Sequence, residues 1–232
     1  MNYYRHFALR TLKEGARQPL IYLLSFLFSL AAVLLLRGLS GSALTPETAD
    51  FVSMALVLNG LAFAGYLSVF LFAQTVFFKE KKAKTLEMTL CSPASLAEIF
   101  WGKVAGLVLS AFIVPALFML AAAAVFAPQV LASLASWKMG AAFMITLAGE
   151  VLFAGVNGMF MLSAKDERGV AVVLYCFCGA QVMLTALTRT AAGQALFNGI
   201  IFQYAVITFG MALLTAAAYF LYFSKQRVVE SA

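Results

Sequence analysis

The side chain best suited to chemistry in this chain is Glu150, whose carboxyl group lies in the middle of a long apolar run. Asn157 follows seven residues later, and in a helix that spacing places both side chains on a similar face. An ionisable group at the centre of a membrane span costs about 2.5–3.5 kcal/mol on insertion scales, so its presence indicates a function. Glu150 could line a substrate path, bind a cationic group or carry a proton. The alternative is a structural role, as a protonated or hydrogen-bonded residue that holds helices together.

Four other polar side chains lie in apolar runs, namely Asn59, Gln74, Gln181 and Gln203. In membrane helices such side chains most often form hydrogen bonds between helices. Contact with a transported substrate is the alternative, so Asn59, Gln181 and Gln203 join Glu150 and Asn157 as candidate substrate-pathway residues. Small residues at short spacing, such as Gly102 and Gly106, instead predict close helix packing.

Catalytic arrangements have little support. The single histidine, His6, lies in a basic N-terminal segment, so a histidine metal site or a Ser-His-Asp arrangement inside a membrane is not indicated. No second acidic residue lies in an apolar run to pair with Glu150. Cys91, Cys176 and Cys178 fit neither a disulfide framework nor a metal site. We therefore predict no catalytic residues and no metal ligands.

The composition is typical of an integral membrane protein. Hydrophobic residues make up 63% of the 232 residues and charged residues only 11%. Six apolar runs cover about residues 20–36, 51–78, 104–127, 139–162, 170–187 and 199–223. Each is close to or above the roughly 20 residues that cross a bilayer as a helix, and every backbone amide in the bilayer core must bond within its own helix. The sequence predicts one all-α domain, residues 1–232, with six transmembrane helices.

The positive charges predict the orientation. With the N-terminus inside, every Lys and Arg except Arg37, Lys138 and Arg189 lies on the cytosolic side. Both termini are therefore predicted to be cytosolic. The net charge of +6 reflects these Lys and Arg residues of the predicted cytosolic segments, so it gives little support to nucleic-acid binding.

Residues 1–18 have the pattern of an amphipathic helix in the membrane surface. One side of this helix carries mainly aromatic and small residues, namely Tyr3, Tyr4, Phe7, Ala8 and Thr11. The other side carries the basic residues Arg10, Lys13 and Arg17. The pattern predicts an aromatic side that faces the lipid and a basic side that faces anionic headgroups. A simple cluster of charges that orients the chain is the alternative.

The charged segment 79–103 separates the second and third apolar runs. Read as a helix, it places Ala83, Leu86 and Leu90 on one face. Ser92-Pro93 then predicts the end of that helix. Ser95 and Glu98 have the spacing of a capping box that starts the next helix. The segment is predicted to be a short amphipathic helix and a turn, with a solvated connector as the alternative.

Several residues of this segment match a known pattern in the same order. They are Glu80, Thr85-Leu86-Glu87, Ser92-Pro93-Ala94-Ser95 and Gly102-Lys103. Together with an N-terminal helix and six spans in about 230 residues, they resemble the type-2 family of ATP-binding-cassette exporter permeases. One difference is Lys84, because the family often has glycine at that place.

The resemblance implies a permease subunit without an ATPase of its own, and the chain has no G-x-x-x-x-G-K-[ST] phosphate loop. ATP and Mg would be bound by two copies of a separate ATPase subunit. A second permease copy, identical or related, would complete a transporter in the inner (plasma) membrane, surrounded by lipids. The cargo expected for such a transporter is hydrophobic or amphipathic, such as a lipid, a drug-like molecule or a peptide.

The resemblance also assigns residues to the contact with the ATPase. In the family the loop between spans two and three is a coupling helix that sits in a groove of the ATPase. The corresponding residues here are Glu80, Lys84, Leu86, Glu87, Leu90 and Pro93, with Lys165, Asp166, Glu167 and Arg168 as a second, lesser contact. An oligomeric channel, or a non-transporting membrane anchor that regulates an ATPase, would be the alternative functions.

Overall fold

Helices begin where the sequence provides caps and prolines. The computed structural model describes residues 3–40, 61, 64–82, 91–126, 137–163 and 200–222, and these residues contain helices, turns and no strand. The helices are α1 (Tyr3–Gly15), α2 (Pro19–Ser40), α3 (residues 64–82), α4 (Leu96–Phe126), α5 (Trp137–Ser163) and α6 (Ile200–Tyr222). The all-α prediction is confirmed for this part of the chain. The apolar run 170–187 and residues 51–60 lie outside it.

Two helices are long and apolar enough to cross a membrane by length and composition, over Leu96–Ala122 and Phe143–Leu162. Pro19–Ala31 and Thr208–Ala217 are shorter apolar stretches of α2 and α6. The described residues therefore give weak support to a place in a membrane. Six such helices are not found among them.

The helices on either side of the charged segment 79–103 extend into it, and α4 begins after the predicted capping box. α3 continues through Lys82, with a π-helical turn at Gln74–Lys79 and a final α-helical turn at Glu80–Lys82. α4 already begins at Leu96, eight residues before the apolar run starts at 104. The connection between these helices is therefore confined to residues 83–95. Of these, 83–90 lie outside the described residues.

α3, α4 and α5 pack as neighbours with alternating directions. The rings of Phe77 in α3 and Phe100 in α4 lie 5.6 Å apart, and a Cβ on Gly158 of α5 would lie 3.0 Å from both rings. Further along α4, the ring of Phe112 lies 6.3 Å from that of Phe143 in α5. Because contacts to α5 move towards its N-terminus as α4 proceeds, these two helices are antiparallel. Gly158 thus permits the close packing of these rings because it has no side chain.

α5 and α6 run in the same direction. Thr208 of α6 donates a hydrogen bond to the carbonyl oxygen of Ile145, at 3.3 Å, and Thr215 donates one to that of Leu152, at 3.2 Å. Seven residues along one helix thus correspond to seven along the other. α5 and α6 therefore begin at the same end of the helices.

Candidate functional site

The first turns of α4 form a shallow groove that receives α1. Gly102, Gly106 and Ser110 lie four residues apart, so they form one stripe along α4. A Cβ on Gly102 would lie 2.8 Å from the carbonyl oxygen of Tyr4, and one on Gly106 would lie 2.8 Å from Thr11 Cβ. Because neither glycine has a side chain, the backbones of α1 and α4 approach closely. The close packing predicted for these two glycines is confirmed.

The side of α1 that was expected to face lipid packs against the protein. Phe7, Thr11 and Gly15 are its buried residues, and their spacing of four matches the stripe on α4. A Cβ on Gly15 would lie 2.7 Å from Ser110 Cβ. The sequence predicts the helix and its two sides, but it does not predict that one side packs into the groove on α4. The place of α1 at a membrane surface stays a prediction.

Ion pairs join α1, α3 and α4 at one end of the helices, which we call the charged end (Arg10, Glu14, Glu80, Lys81 and Lys103). The carboxylate of Glu80 pairs with the ammonium of Lys103, and it lies 4.0 Å from the guanidinium of Arg10. Arg10 also pairs with Glu14 at 3.0 Å. The Lys103 side chain is only 5% exposed and that of Glu80 16%, so this pair is largely withdrawn from water.

Lys81 ties the end of α3 to the end of α5. Its ammonium donates a hydrogen bond to the carbonyl oxygen of Leu162, at 2.8 Å. The last carbonyl groups of a helix have no partner within the helix, and a cation there also interacts favourably with the helix dipole. Burial lowers the pKa of Lys81 below its ordinary value, because the ammonium is partly withdrawn from water.

The turn before α4 is fixed by the predicted capping box. The Glu98 amide donates to Ser95 Oγ at 3.2 Å, and the Ser95 amide and hydroxyl both donate to the Glu98 carboxylate at 2.9 Å. Ala94 is buried in a small cluster with Phe7 and Ile99. The turn is therefore attached to α1 by apolar contact and to α4 by hydrogen bonds.

Two residues of this turn face outwards. Pro93 and Cys91 are exposed, while Ala94 between the bend and the cap is buried. The turn thus presents Pro93, a predicted ATPase contact, on the outer surface of the charged end. Glu80, also a predicted ATPase contact, does not face outwards, because its carboxylate pairs with Lys103 inside the protein. The other predicted coupling residues, Lys84, Leu86, Glu87, Leu90, Lys165, Asp166, Glu167 and Arg168, lie outside the described residues.

No family model, curated protein or solved structure matches this chain. The resemblance to the exporter permeases therefore depends on the residues of segment 80–103 and on the order of the helices. Its implications for partners, ATP and cargo are proposals.

A second candidate site lies inside the protein, on α5. Glu150 and Asn157 are both fully buried, and neither carboxylate oxygen nor either amide atom has a hydrogen-bond partner among the described residues. Gly65 of α3 lies opposite, and a Cβ there would lie 2.5 Å from Glu150 Cδ. The shared face predicted for Glu150 and Asn157 is consistent with their common burial.

The structure describes no side chain for the remaining predicted pathway residues. Asn59 and Gln181 lie outside the described residues, and Gln203 lies in α6 without a described side chain. The sequence reasoning also missed Gly65 and the Glu80–Lys103 pair. The pair could have been predicted from the sequence, because an antiparallel α3–α4 hairpin places the last turn of one helix beside the first turns of the other.

Proposed function

We propose that the chain is the membrane-spanning permease subunit of an ATP-driven exporter, and that a separate ATPase subunit docks at the charged end. Two permease copies and two ATPase subunits would form the working unit. The cargo would be hydrophobic or amphipathic and would move outward by alternating access. The observation that carries this proposal is the attachment of the turn 91–95 to both α1 and α4.

The helix directions support a six-span layout. α2 and α4 run the same way, since Tyr22 and Phe26 contact Phe118 while Ser29 and Leu30 meet α4 further along. α3 and α5 run the opposite way. α6 is parallel to α5. In the proposed layout, the apolar sequence run 170–187 would cross back between them, since its length is close to what one crossing requires.

The outer surfaces also support a place in lipid. Large apolar side chains stay exposed along α2, α4 and α6, namely Leu23, Leu27, Ile113, Leu117, Phe209, Leu213 and Leu214. A soluble protein rarely exposes so many along three neighbouring helices. Lipid tails or a second permease copy would cover them.

The contacts at the charged end connect the loop to several helices, so a displacement of the loop would also move these helices. Movement of the turn 91–95 would act on α4 through the Ser95–Glu98 capping box and on α1 through Ala94 and Phe7. The Glu80–Lys103 pair would carry the same movement to α3. Lys81 would then transmit it to the end of α5. When the ATPase pair closes on ATP and Mg, the helices would be displaced together.

We propose a transporter rather than a channel that uses Glu150 as a pore ring. Such a ring requires the carboxylates of several copies to face a shared aqueous axis. Glu150 is instead fully buried within one copy, against the backbone of α3 at Gly65. A transporter that opens and closes around this residue is the better explanation of its burial.

Cys91 offers a native probe of the docking surface, because it is exposed beside Pro93. In membrane vesicles with the cytosolic face outward, we expect a membrane-impermeant maleimide to label Cys91 when the chain is expressed alone. Co-expression of its ATPase subunit should reduce this labelling at least about fivefold, as expected for a coupling of 1 kcal/mol or more. Peptide mass spectrometry would separate Cys91 from Cys176 and Cys178.

The control is co-expression of the ATPase of an unrelated transporter, which should leave the labelling of Cys91 unchanged. Candidate ATP-binding-cassette ATPases from the same genome are tested one at a time. If none of them protects Cys91, the docking proposal is wrong.

A further inference from the structure

Glu150 and Asn157 are exceptions to the way proteins bury polar groups. About nine in ten buried polar groups have a hydrogen-bond partner, whereas all four terminal atoms of these two side chains lack one among the described residues. Both lie on the same face of α5, two turns apart. An unpartnered carboxyl group is the more costly of the two, because its charged form requires solvation or a counter-charge.

The space around Glu150 limits what can bind there. A Cβ on Gly65 would overlap the carboxylate, so the carboxyl group already touches the backbone of α3. Asn157 lies two turns of helix away, about 10 Å, which is too far for both side chains to bind the same metal ion. A cationic ligand would need room that this arrangement lacks, whereas a proton needs none.

Among the described residues, the helices around α5 bring no counter-charge to Glu150. α3 brings the titratable side chain of Tyr66, which packs on Phe153, and α6 brings the hydroxyl of Thr208. α4 contacts α5 through the aromatic side chains of Phe112 and Trp101. The described charged residues of α3 and α4 lie at the charged end, beginning with Glu80 and ending with Lys103. Full burial without a described counter-charge favours the neutral form of this carboxyl group while the helices are packed as they are here.

We propose that Glu150 is a proton-exchange site that links the separation of α3 and α5 to pH. In the packed arrangement the carboxyl group keeps its proton. When the helices separate and water enters, the O–H bond breaks, the proton passes to water as hydronium, and the carboxylate is solvated. Alkaline conditions thus favour the separated arrangement, and reprotonation permits the helices to close. This property belongs to the chain alone and does not depend on the proposed ATPase.

The test uses a cysteine at Ala154, which is fully buried between Glu150 and Asn157 on the same face of α5. The native cysteines are replaced by serine, and the chain is placed in lipid nanodiscs. The reaction rate of Ala154→Cys with a water-soluble thiol reagent is measured from acidic to alkaline pH. The matched control is Ala111→Cys, equally buried on α4, because it corrects for the titration of the thiol itself.

With Glu150 present, the ratio of the two rates should rise with pH, by about tenfold per unit below the titration midpoint. In the Glu150→Gln background, which keeps the shape but cannot titrate, the ratio should stay flat. A flat ratio with Glu150 present, or an equal rise in both backgrounds, would overturn the proposal.

A second measurement needs no variant to fold. Infrared spectroscopy of the unaltered chain at neutral pH should show the carbonyl band of a protonated carboxyl group, since exposed carboxyl groups are ionised at that pH. Absence of this band would contradict the proposal. Its presence would support it whether or not an ATPase partner is found.

Discussion

Replacing Lys103 with methionine should destabilise the protein by roughly 3 kcal/mol, because the change leaves the carboxylate of Glu80 largely buried without its main partner. The value is at the low end for a broken buried pair, since Arg10 still lies 4.0 Å from that carboxylate. Thermal unfolding in detergent, followed by circular dichroism, measures the loss. The matched control is Lys13→Met on the exposed side of α1, which should change the stability by no more than about 0.5 kcal/mol.

The double variant Glu80→Gln with Lys103→Met separates an ion pair from simple loss of packing. It removes both charges, so most of the lost stability should return, because no buried charge is left unpaired. A Lys103→Met protein as stable as the parent would show that the pair does not hold the charged end together. A double variant no more stable than Lys103→Met would lead to the same conclusion.

Replacing Gly106 with alanine should destabilise the protein by about 1–3 kcal/mol, the usual cost of overpacking. The added methyl group would meet the carbonyl oxygen of Ala8 and the side chain of Thr11, so α1 must move away from α4. Amide hydrogen exchange in α1 should accelerate, which distinguishes release of this helix from a general loss of stability.

Gly210→Ala in α6 is the control for Gly106→Ala, because a Cβ at Gly210 would have no neighbour within 4 Å. There the change should be neutral or stabilising by up to about 1 kcal/mol, since alanine favours a helix more than glycine does. If both glycine variants behave alike, the groove on α4 does not hold α1.

Features set by neighbouring residues in the sequence were predicted correctly. The Ser95–Glu98 capping box depends on a few adjacent residues, and the structure confirms it. The spacing of Gly102 and Gly106 predicted close packing for a similar reason, because two small residues four apart leave a groove on any helix.

Features set by distant residues were not predicted. The sequence predicted a short amphipathic helix or a solvated connector after residue 78. It did not predict that α3 continues through Lys82, or that Glu80 pairs with Lys103, 23 residues further on. The aromatic side of α1 has the pattern of a lipid-facing surface, yet Phe7 packs against the first turns of α4. Likewise, nothing local to Glu150 indicates that Gly65 lies opposite its carboxyl group.

The most direct test of the proposed function is ATP hydrolysis by the complex of this chain with its ATPase subunit in lipid nanodiscs. We expect Glu87→Gln and Pro93→Ala each to lower the hydrolysis rate at least about fivefold, the effect of losing 1 kcal/mol or more of coupling. Gly140→Ala, near the opposite end of α5 and without a neighbour within 4 Å, should leave hydrolysis unchanged. Hydrolysis at the unaltered rate in both the Glu87 and Pro93 variants would contradict the proposal that the ATPase drives this chain through the loop at residues 83–95.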